Sequence, residues 1–384
     1  MPRTYQATCI IPPFTDSGRT VQIRIEHEKN FAKGASSNVY EADVTNLSDD
    51  GPFASSTKVA IKKVWPKTTG STTAPDAAGG GGAAGGVTVP DAPEIAVLTA
   101  LQRTRQHAHI VQLMYYFTTY LTRDRCDEQI YEFMPTTLHD VLHADYKPRG
   151  QRPDALLPRV WAAQLFMALD YLDQQKIVHS DLKPNNILMN KHTHLIKLGD
   201  FGSAKQIDQV SGPLPAYVVT RYYRAPELLL GATVYDQAID WWAAGCILVD
   251  MILTKILFQG VNSREQVVLI ASVLGKPNAA QLRAMHASDF GENFVRLILL
   301  DQRRSWATLL SDVGDDARAL IQALLVYEPE QRCRPGQVLK HQYFSQLREP
   351  NVKLPITNQP LPFDQSLFTN QKTNQSATHT ESKQ

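Results

Sequence analysis

The hydrophobic period of the chain changes once, near residue 135, and this change limits the folds open to it. From about residue 20 to 134 the apolar runs are short and β-branched, the signature of strands. Val21, Ile23 and Ile25 alternate with polar residues, and Lys58-Val-Ala-Ile-Lys62 and Ile110-Val-Gln-Leu113 read as compact strands. From about 136 onward the spacing becomes helical. Leu157, Val160, Trp161, Leu165, Ala168, Leu169 and Leu172 recur every three or four residues, one apolar stripe of a long helix. Trp241 to Leu253 is apolar almost all round, as in a helix buried on every side, and Val313 to Tyr327 predicts an amphipathic helix stopped near Pro329. The expectation is an α+β chain of two lobes: a small β-rich lobe over 20–134 and a larger helical lobe over 135–349. Residues 1–19 then form an N-terminal extension, and 350–384 form a C-terminal segment ending in a mobile tail from about Thr369.

One stretch inside the first lobe breaks the pattern. Residues 66–91 hold six glycines between Gly79 and Gly86 and no Leu, Ile or Phe. Too little apolar surface is present to offset the entropy of ordering, so the segment reads as a disordered insertion. The other reading, an interdomain linker, fits less well because strand-like sequence continues beyond it. Overall charge excludes other classes. Against 39 Lys and Arg stand 38 Asp and Glu, a formal net charge of +1, so no global field favours nucleic acid or an anionic membrane as partner. Cys9, Cys126, Cys246 and Cys333 are widely separated and carry no metal-ligand spacing, which reads as reduced thiols. With no run of 18 apolar residues, the expectation is a soluble protein of the cytoplasm, the nucleus remaining open.

The densest chemistry lies at His179-Ser-Asp-Leu-Lys-Pro-Asn-Asn186, followed by a short strand and then Asp200-Phe-Gly202. This order resembles the catalytic loop and metal-binding loop of protein kinases. Upstream, Val59-Ala-Ile-Lys62 is similar to the strand that carries the ATP lysine. Downstream, Ala225-Pro-Glu227 closes an activation segment. Asp240-Trp-Trp-Ala-Ala-Gly245 resembles the helix that braces the catalytic loop, and Arg332 stands where kinases pair an arginine with the Ala-Pro-Glu glutamate. The resemblance covers about residues 20 to 349 and implies a bilobal kinase fold using ATP and Mg²⁺.

The resemblance assigns roles residue by residue. Phosphoryl transfer needs positioning and charge neutralisation more than covalent help. Asp181 would accept or orient the proton of a substrate hydroxyl, and Lys183 would steady the γ-phosphate. Asn186 and Asp200 are hard oxygen ligands of the kind Mg²⁺ takes alongside water and phosphate. Lys62 would bind the α- and β-phosphates, held by a carboxylate on a nearby helix, for which Glu94 is the candidate. Adenine would lie between Val39 and Ala60 on one side and Leu188 on the other, its edge read by backbone groups of Glu132 and Met134. Tyr131 falls where kinases place the residue guarding the back of that pocket; the bland reading is a half-buried strand tyrosine. His179 reads as a packed structural histidine, not a base, and Phe201 as a core plug. The phosphate-covering loop departs from pattern: in Ala32-Lys-Gly34-Ala-Ser-Ser37 only Gly34 survives of three expected glycines, which removes positions where backbone amides close on phosphates most easily.

Asp200-Phe-Gly-Ser-Ala-Lys205 and Tyr217-Val-Val-Thr-Arg-Tyr-Tyr-Arg-Ala-Pro-Glu227 resemble the glycogen synthase kinase-3 family. That likeness implies a serine/threonine kinase acting on protein substrates, with scaffold proteins as further partners and Tyr217 as an activation-loop phosphosite. It also implies a basic pocket for a phosphate already present on the substrate. Of its three charges only Lys205 remains, since Ser180 and Pro93 stand where arginines are expected. A phosphate favours bidentate arginine contacts, so this pocket reads as weakened. A catalytically weak or inactive kinase fold serving as a scaffold is the rival reading, supported by the eroded loop and the uncharged Ser180.

Overall fold

A computed structural model describes residues 2–10, 19–33, 37–48, 55–65, 93–121, 124–207, 221–299 and 304–369. The glycine-rich insertion, Gly34, Tyr217 and the tail beyond Thr369 lie outside the described residues. The chain divides into two compact units, Met1–Met134 and Pro135–Gln384. Among the described residues no helix is long and apolar enough to cross a membrane.

The first unit is built on six antiparallel strands: β1 (Arg3–Cys9), β2 (Arg19–Lys33), β3 (Ser37–Asn46), β4 (Thr57–Val64), β5 (Leu113–Leu121) and β6 (Asp124–Glu132). They close into a barrel in the order β1-β2-β3-β4-β6-β5. Strand alternation decides what fills it. Ala7, Cys9, Val21, Ile23, Ile25, Ala42, Val44, Val59, Ile61 and Ile130 form the buried interior. The expected extension over 1–19 is therefore corrected in part, because Arg3–Cys9 is a barrel strand. It pairs with β2 along its full length and with β5 at Thr8↔Tyr116 and Cys9↔Tyr115. The reason is its own alternation: Ala7 and Cys9 point inward, and Tyr5 stacks on Phe117 at 4.7 Å. The strand expected to open at Ile110 begins instead at Leu113.

Lys63 follows the same alternation as Val59 and Ile61 and is also buried. A buried ammonium needs anionic partners. It finds them in Glu28 at 2.7 Å and Glu128 at 3.4 Å, with Arg3 also paired to Glu28. Burial alone would lower the Lys63 pKa, but the Glu28 hydrogen bond and the Glu128 charge carry it above the ordinary lysine value. Helix α1 (Pro93–Thr104) is joined to β5 by Gln102, whose amide donates to the Leu113 carbonyl at 3.0 Å and accepts from its N–H at 2.9 Å.

In the second unit the long helix Leu156–Gln174 is buried well beyond the single stripe expected, with Arg159 the half-exposed exception before its last turn. Gln164 in its middle bonds to the Val160 and His194 carbonyls and to the Ile196 N–H, tying the helix to the strand beside it. The expected all-round apolar helix is Ala238–Leu253, and the amphipathic one is Asp315–Leu324. Four short strands follow the long helix. Ile187–Asn190 pairs with Leu195–Leu198, and Ile177–Val178 pairs with Lys205–Gln206. One pair is nested in the other, so the loops 179–186 and 199–204 lie together at the end away from the Lys191–His194 turn. Past Pro350 the described chain still packs: Leu354, Leu361 and Phe368 are buried, and Phe368 meets Phe344 and Phe363.

Replacing Lys63 with Met should leave Glu28 and Glu128 buried without their cation and lower unfolding stability by about 3 kcal/mol in a urea titration. Lys58→Met, which breaks an exposed pair with Glu41, should hardly move the midpoint. Equal midpoints for the two variants would show that the barrel's inner ion cluster adds nothing.

Candidate active site

The nested strand pairs deliver two loops, and a buried carboxylate fixes the first. Asp240, near the start of helix Ala238–Leu253, accepts the backbone N–H of His179 at 2.6 Å and of Ser180 at 3.0 Å. Ser180 has φ +68°, a left-handed conformation that costs a non-glycine residue about 1–2 kcal/mol. The two Asp240 bonds hold it there. Burial pushes the Asp240 carboxyl up to about 6, against the opposing pull of His179 and the two N–H donors. His179 is fully buried. Its Nε2 lies 3.0 Å from the Gly199 carbonyl, its Nδ1 accepts the Asp181 N–H at 3.3 Å, and its ring meets Phe201 edge-on at 5.0 Å. Both ring nitrogens are thus engaged inside the loop.

Asp181 is 7% exposed and its two oxygens differ. Oδ2 accepts Lys183 Nζ at 2.7 Å and Asn186 Nδ2 at 3.1 Å. Oδ1 is buried and has no hydrogen-bond partner. Asn186 also donates Nδ2 to the Asp181 carbonyl at 2.8 Å, which commits its amide nitrogen and leaves its oxygen as the outward acceptor. The Asn186 carbonyl accepts the Gly199 N–H at 2.8 Å and so draws the second loop, with the exposed Asp200 at φ +58°, beside the first. Among the described residues no cluster of three His, Cys, Asp or Glu could hold a metal. One carboxylate and one amide oxygen suit Mg²⁺, which keeps water and phosphate oxygens as its other ligands, and do not suit an all-protein cage.

The first unit assembles its own charge pair. Lys62 projects from the face of β4 opposite the barrel core, and its Nζ meets Glu94 Oε2 of α1 at 2.7 Å. Register sets its row: Val39 and Gln129 lie across from Lys62, and Glu41 and Tyr131 across from Ala60. Val39 and Ala60 are half-buried. Tyr131 is buried and donates to Gln129 Oε1 at 2.5 Å. Glu132 commits both its N–H and its side chain to Gln112, leaving its carbonyl as the backbone group that could read a ligand's edge. In the second unit, Leu188 is the half-exposed residue between buried Ile187 and Met189. Lys205 pairs in strand register with Val178 and has no salt bridge to a described residue.

Two anchors brace the segment after the masked 208–220 stretch. Arg332, with no side-chain exposure, grips Glu227 through Nη1–Oε1 at 2.6 Å and Nη2–Oε2 at 2.7 Å. Its remaining donors reach the carbonyls of Val326, Ala238 and Tyr327. Asp250, also fully buried, accepts Tyr223 Oη at 2.9 Å and faces His143 Nε2 at 3.0 Å. The Asp250 anchor was not foreseen, although an acid inside an otherwise apolar helix signals a buried partner.

A family model described as the protein kinase domain matches residues 55–344, well over half of the chain. The chain belongs to the protein kinase family. The match begins beyond Ala32–Ser37, the stretch where the glycine pattern is reduced to Gly34. Family membership makes the chain a phosphotransferase with protein substrates, and kinase domains generally use ATP and Mg²⁺.

Asp240 gives the kinase a pH dependence with two opposed signs. Because its folded pKa of about 6 exceeds the unfolded value near 3.9, the folded state binds this proton more tightly. Its unfavourable contribution to stability is complete above pH 6 and fades as pH falls toward 4. Catalysis should respond the other way, since protonation spoils one of the two acceptors that hold His179 and Ser180. The expected result is a kcat that declines below about pH 6 while circular dichroism shows an intact fold. A kcat constant from pH 7.5 to 5.5 would remove Asp240 ionisation from the account.

Proposed function

We propose that this chain is an ATP-dependent serine/threonine protein kinase, similar to the glycogen synthase kinase-3 family, with a weakened pocket for a primed substrate phosphate. The observation that carries the reading is the asymmetry of Asp181: one carboxylate oxygen is held by Lys183 and Asn186, and the other is buried with no partner. An oxygen so placed can take the proton of an incoming hydroxyl while its twin stays fixed. Bound Mg²⁺ would neutralise charge on the nucleotide phosphates. Asn186 and Asp200 would hold it. Lys183, already 2.7 Å from Asp181, would offer its ammonium to the group being transferred. Lys62, oriented by Glu94, would bind the α- and β-phosphates, as the resemblance implies. Val39, Ala60 and Leu188 supply the half-exposed apolar surface for adenine, and the backbone of Glu132 and Met134 its polar edge. Gly34 is assigned to the phosphate-covering loop. Tyr217 is proposed as the activation-loop phosphosite, and Lys205 as the remaining contact to a priming phosphate. Scaffold proteins and a cytoplasmic location, the nucleus also open, complete the reading. The inactive-scaffold alternative draws on Ser180, whose Oγ is buried without a partner where an arginine would otherwise stand.

Transfer of labelled phosphate to a generic protein substrate, with and without Mg²⁺, tests the assignment. Asp181→Asn should lower kcat at least about a hundredfold. Asp200→Ala should also weaken Mg²⁺-dependent ATP binding. Full activity in either folded variant would refute the assignment, and a folded wild type that transfers nothing would favour the scaffold.

Substrate choice gives a second test. A peptide carrying phosphoserine four residues C-terminal to the target should be preferred over its plain form by less than about tenfold, since each lost arginine contact is worth on the order of 1.5–3 kcal/mol. A preference near a hundredfold that Lys205→Ala abolishes would restore the primed pocket.

A further inference from the structure

The barrel unit leaves one large aromatic ring conspicuously uncovered. Phe31, on β2, is 43% exposed. Asn30 pairs with Tyr40 and Ala32 with Val39, so Phe31 is the extra residue of a β-bulge and opposes nothing. A bulge re-aims the side chain it carries, and bulges concentrate beside binding sites. Here the ring is turned onto Phe133, the residue after β6, with centroids 5.6 Å apart and planes at 67°. Phe31 borders the row that holds Val39 and Lys62, because its neighbour Ala32 pairs with Val39 and Val39 with Lys62. The backbone N–H of Met134, directly after Phe133, makes no hydrogen bond to a described residue, although Met134 is buried.

An exposed aromatic face fixed by a second ring, next to an uncommitted N–H donor, suits a flat heterocycle that carries a ring-nitrogen acceptor. Purines have that chemistry. Meanwhile, the residues around Gly34 lack the flanking glycines through which backbone amides would close on phosphates. We infer that Phe31, braced by Phe133, is a base-stacking residue for the purine, so that nucleotide binding in this chain leans on the base more than on the phosphates. The inference rests on the nucleotide reading above and extends it to two residues and a balance of affinities.

Isothermal titration of the full chain with adenosine and with ATP plus Mg²⁺ tests this. Stacking of a base on an aromatic side chain is commonly worth 1–3 kcal/mol, about five- to 150-fold in affinity. Phe31→Ala should therefore weaken adenosine and ATP by a common factor of about tenfold, with Phe31→Leu intermediate. Lys62→Met should weaken ATP and leave adenosine within twofold. Wild-type affinities for the two ligands should lie within about tenfold. Phe31 is exposed, so its variants should keep the wild-type melting temperature. If the wild type binds ATP but Phe31→Ala changes neither affinity beyond twofold, the stacking role is wrong and the nucleotide reading stands. A loss confined to ATP, or adenosine more than a hundredfold weaker than ATP, would also overturn it. If the folded wild type binds neither ligand, the nucleotide reading itself fails and takes this inference with it.

Discussion

A carboxylate buried beyond the reach of water is an expensive object, and Asp240 is tolerated because it satisfies two backbone N–H groups that nothing else reaches. His179 and Ser180 point their amides into the protein interior, a direction the loop could not hold by itself with a left-handed serine. Once that turn is fixed, the rest of the loop follows in short steps. His179 spans from the Asp181 N–H to the Gly199 carbonyl, Asn186 ties back to Asp181, and Gly199 ties back to Asn186. Loosening the first link would let each later distance drift. A mispositioning of about 1 Å in such a constellation can cost two orders of magnitude in rate.

Each unit completes its charged constellation internally. Lys62 is paired with Glu94 inside the barrel unit, and Lys183 with Asp181 inside the helical one. In both cases a flexible lysine is held by a carboxylate at 2.7 Å, which removes rotamer freedom before any ligand arrives. The pairs also prevent buried like charges from accumulating. This preorganisation suits chemistry in which electrostatic placement is the main contribution.

Much of this was legible in the chain because chemistry and topology impose narrow patterns. Asp181, Lys183, Asn186 and Asp200 stand in a fixed order since a nested strand pair must lie between them. Lys62 and Glu94 could be matched across a 27-residue masked gap, 66–92, because the strand and helix on either side have unmistakable patterns. Other features left weaker traces. The inward positions of β1 are Ala7 and Cys9, too small to announce a strand. Lys63 reads as a solvent residue until the barrel's register turns it inward. Ile110-Val-Gln-Leu113 has β-branched composition, but its pairing starts only at Leu113, where Gln102 caps the entry. Short-range sequence cannot foresee a partner contributed from a distant strand.

The modest length of β1 hides how much it closes. Its pairing with β5 spans only two residue pairs, followed by the Ile10 N–H to the Met114 carbonyl. A chain shortened past Cys9, by a later translation start or a careless cloning boundary, would lose a closed cylinder and gain two raw edges, β2 and β5, each able to recruit a strand from a neighbour. It would also uncover Phe117 and leave Glu28 short of one of its cations. Aggregation of such a shortened product would then reflect an opened barrel, with the catalytic loop and its anchors in the other unit still chemically complete.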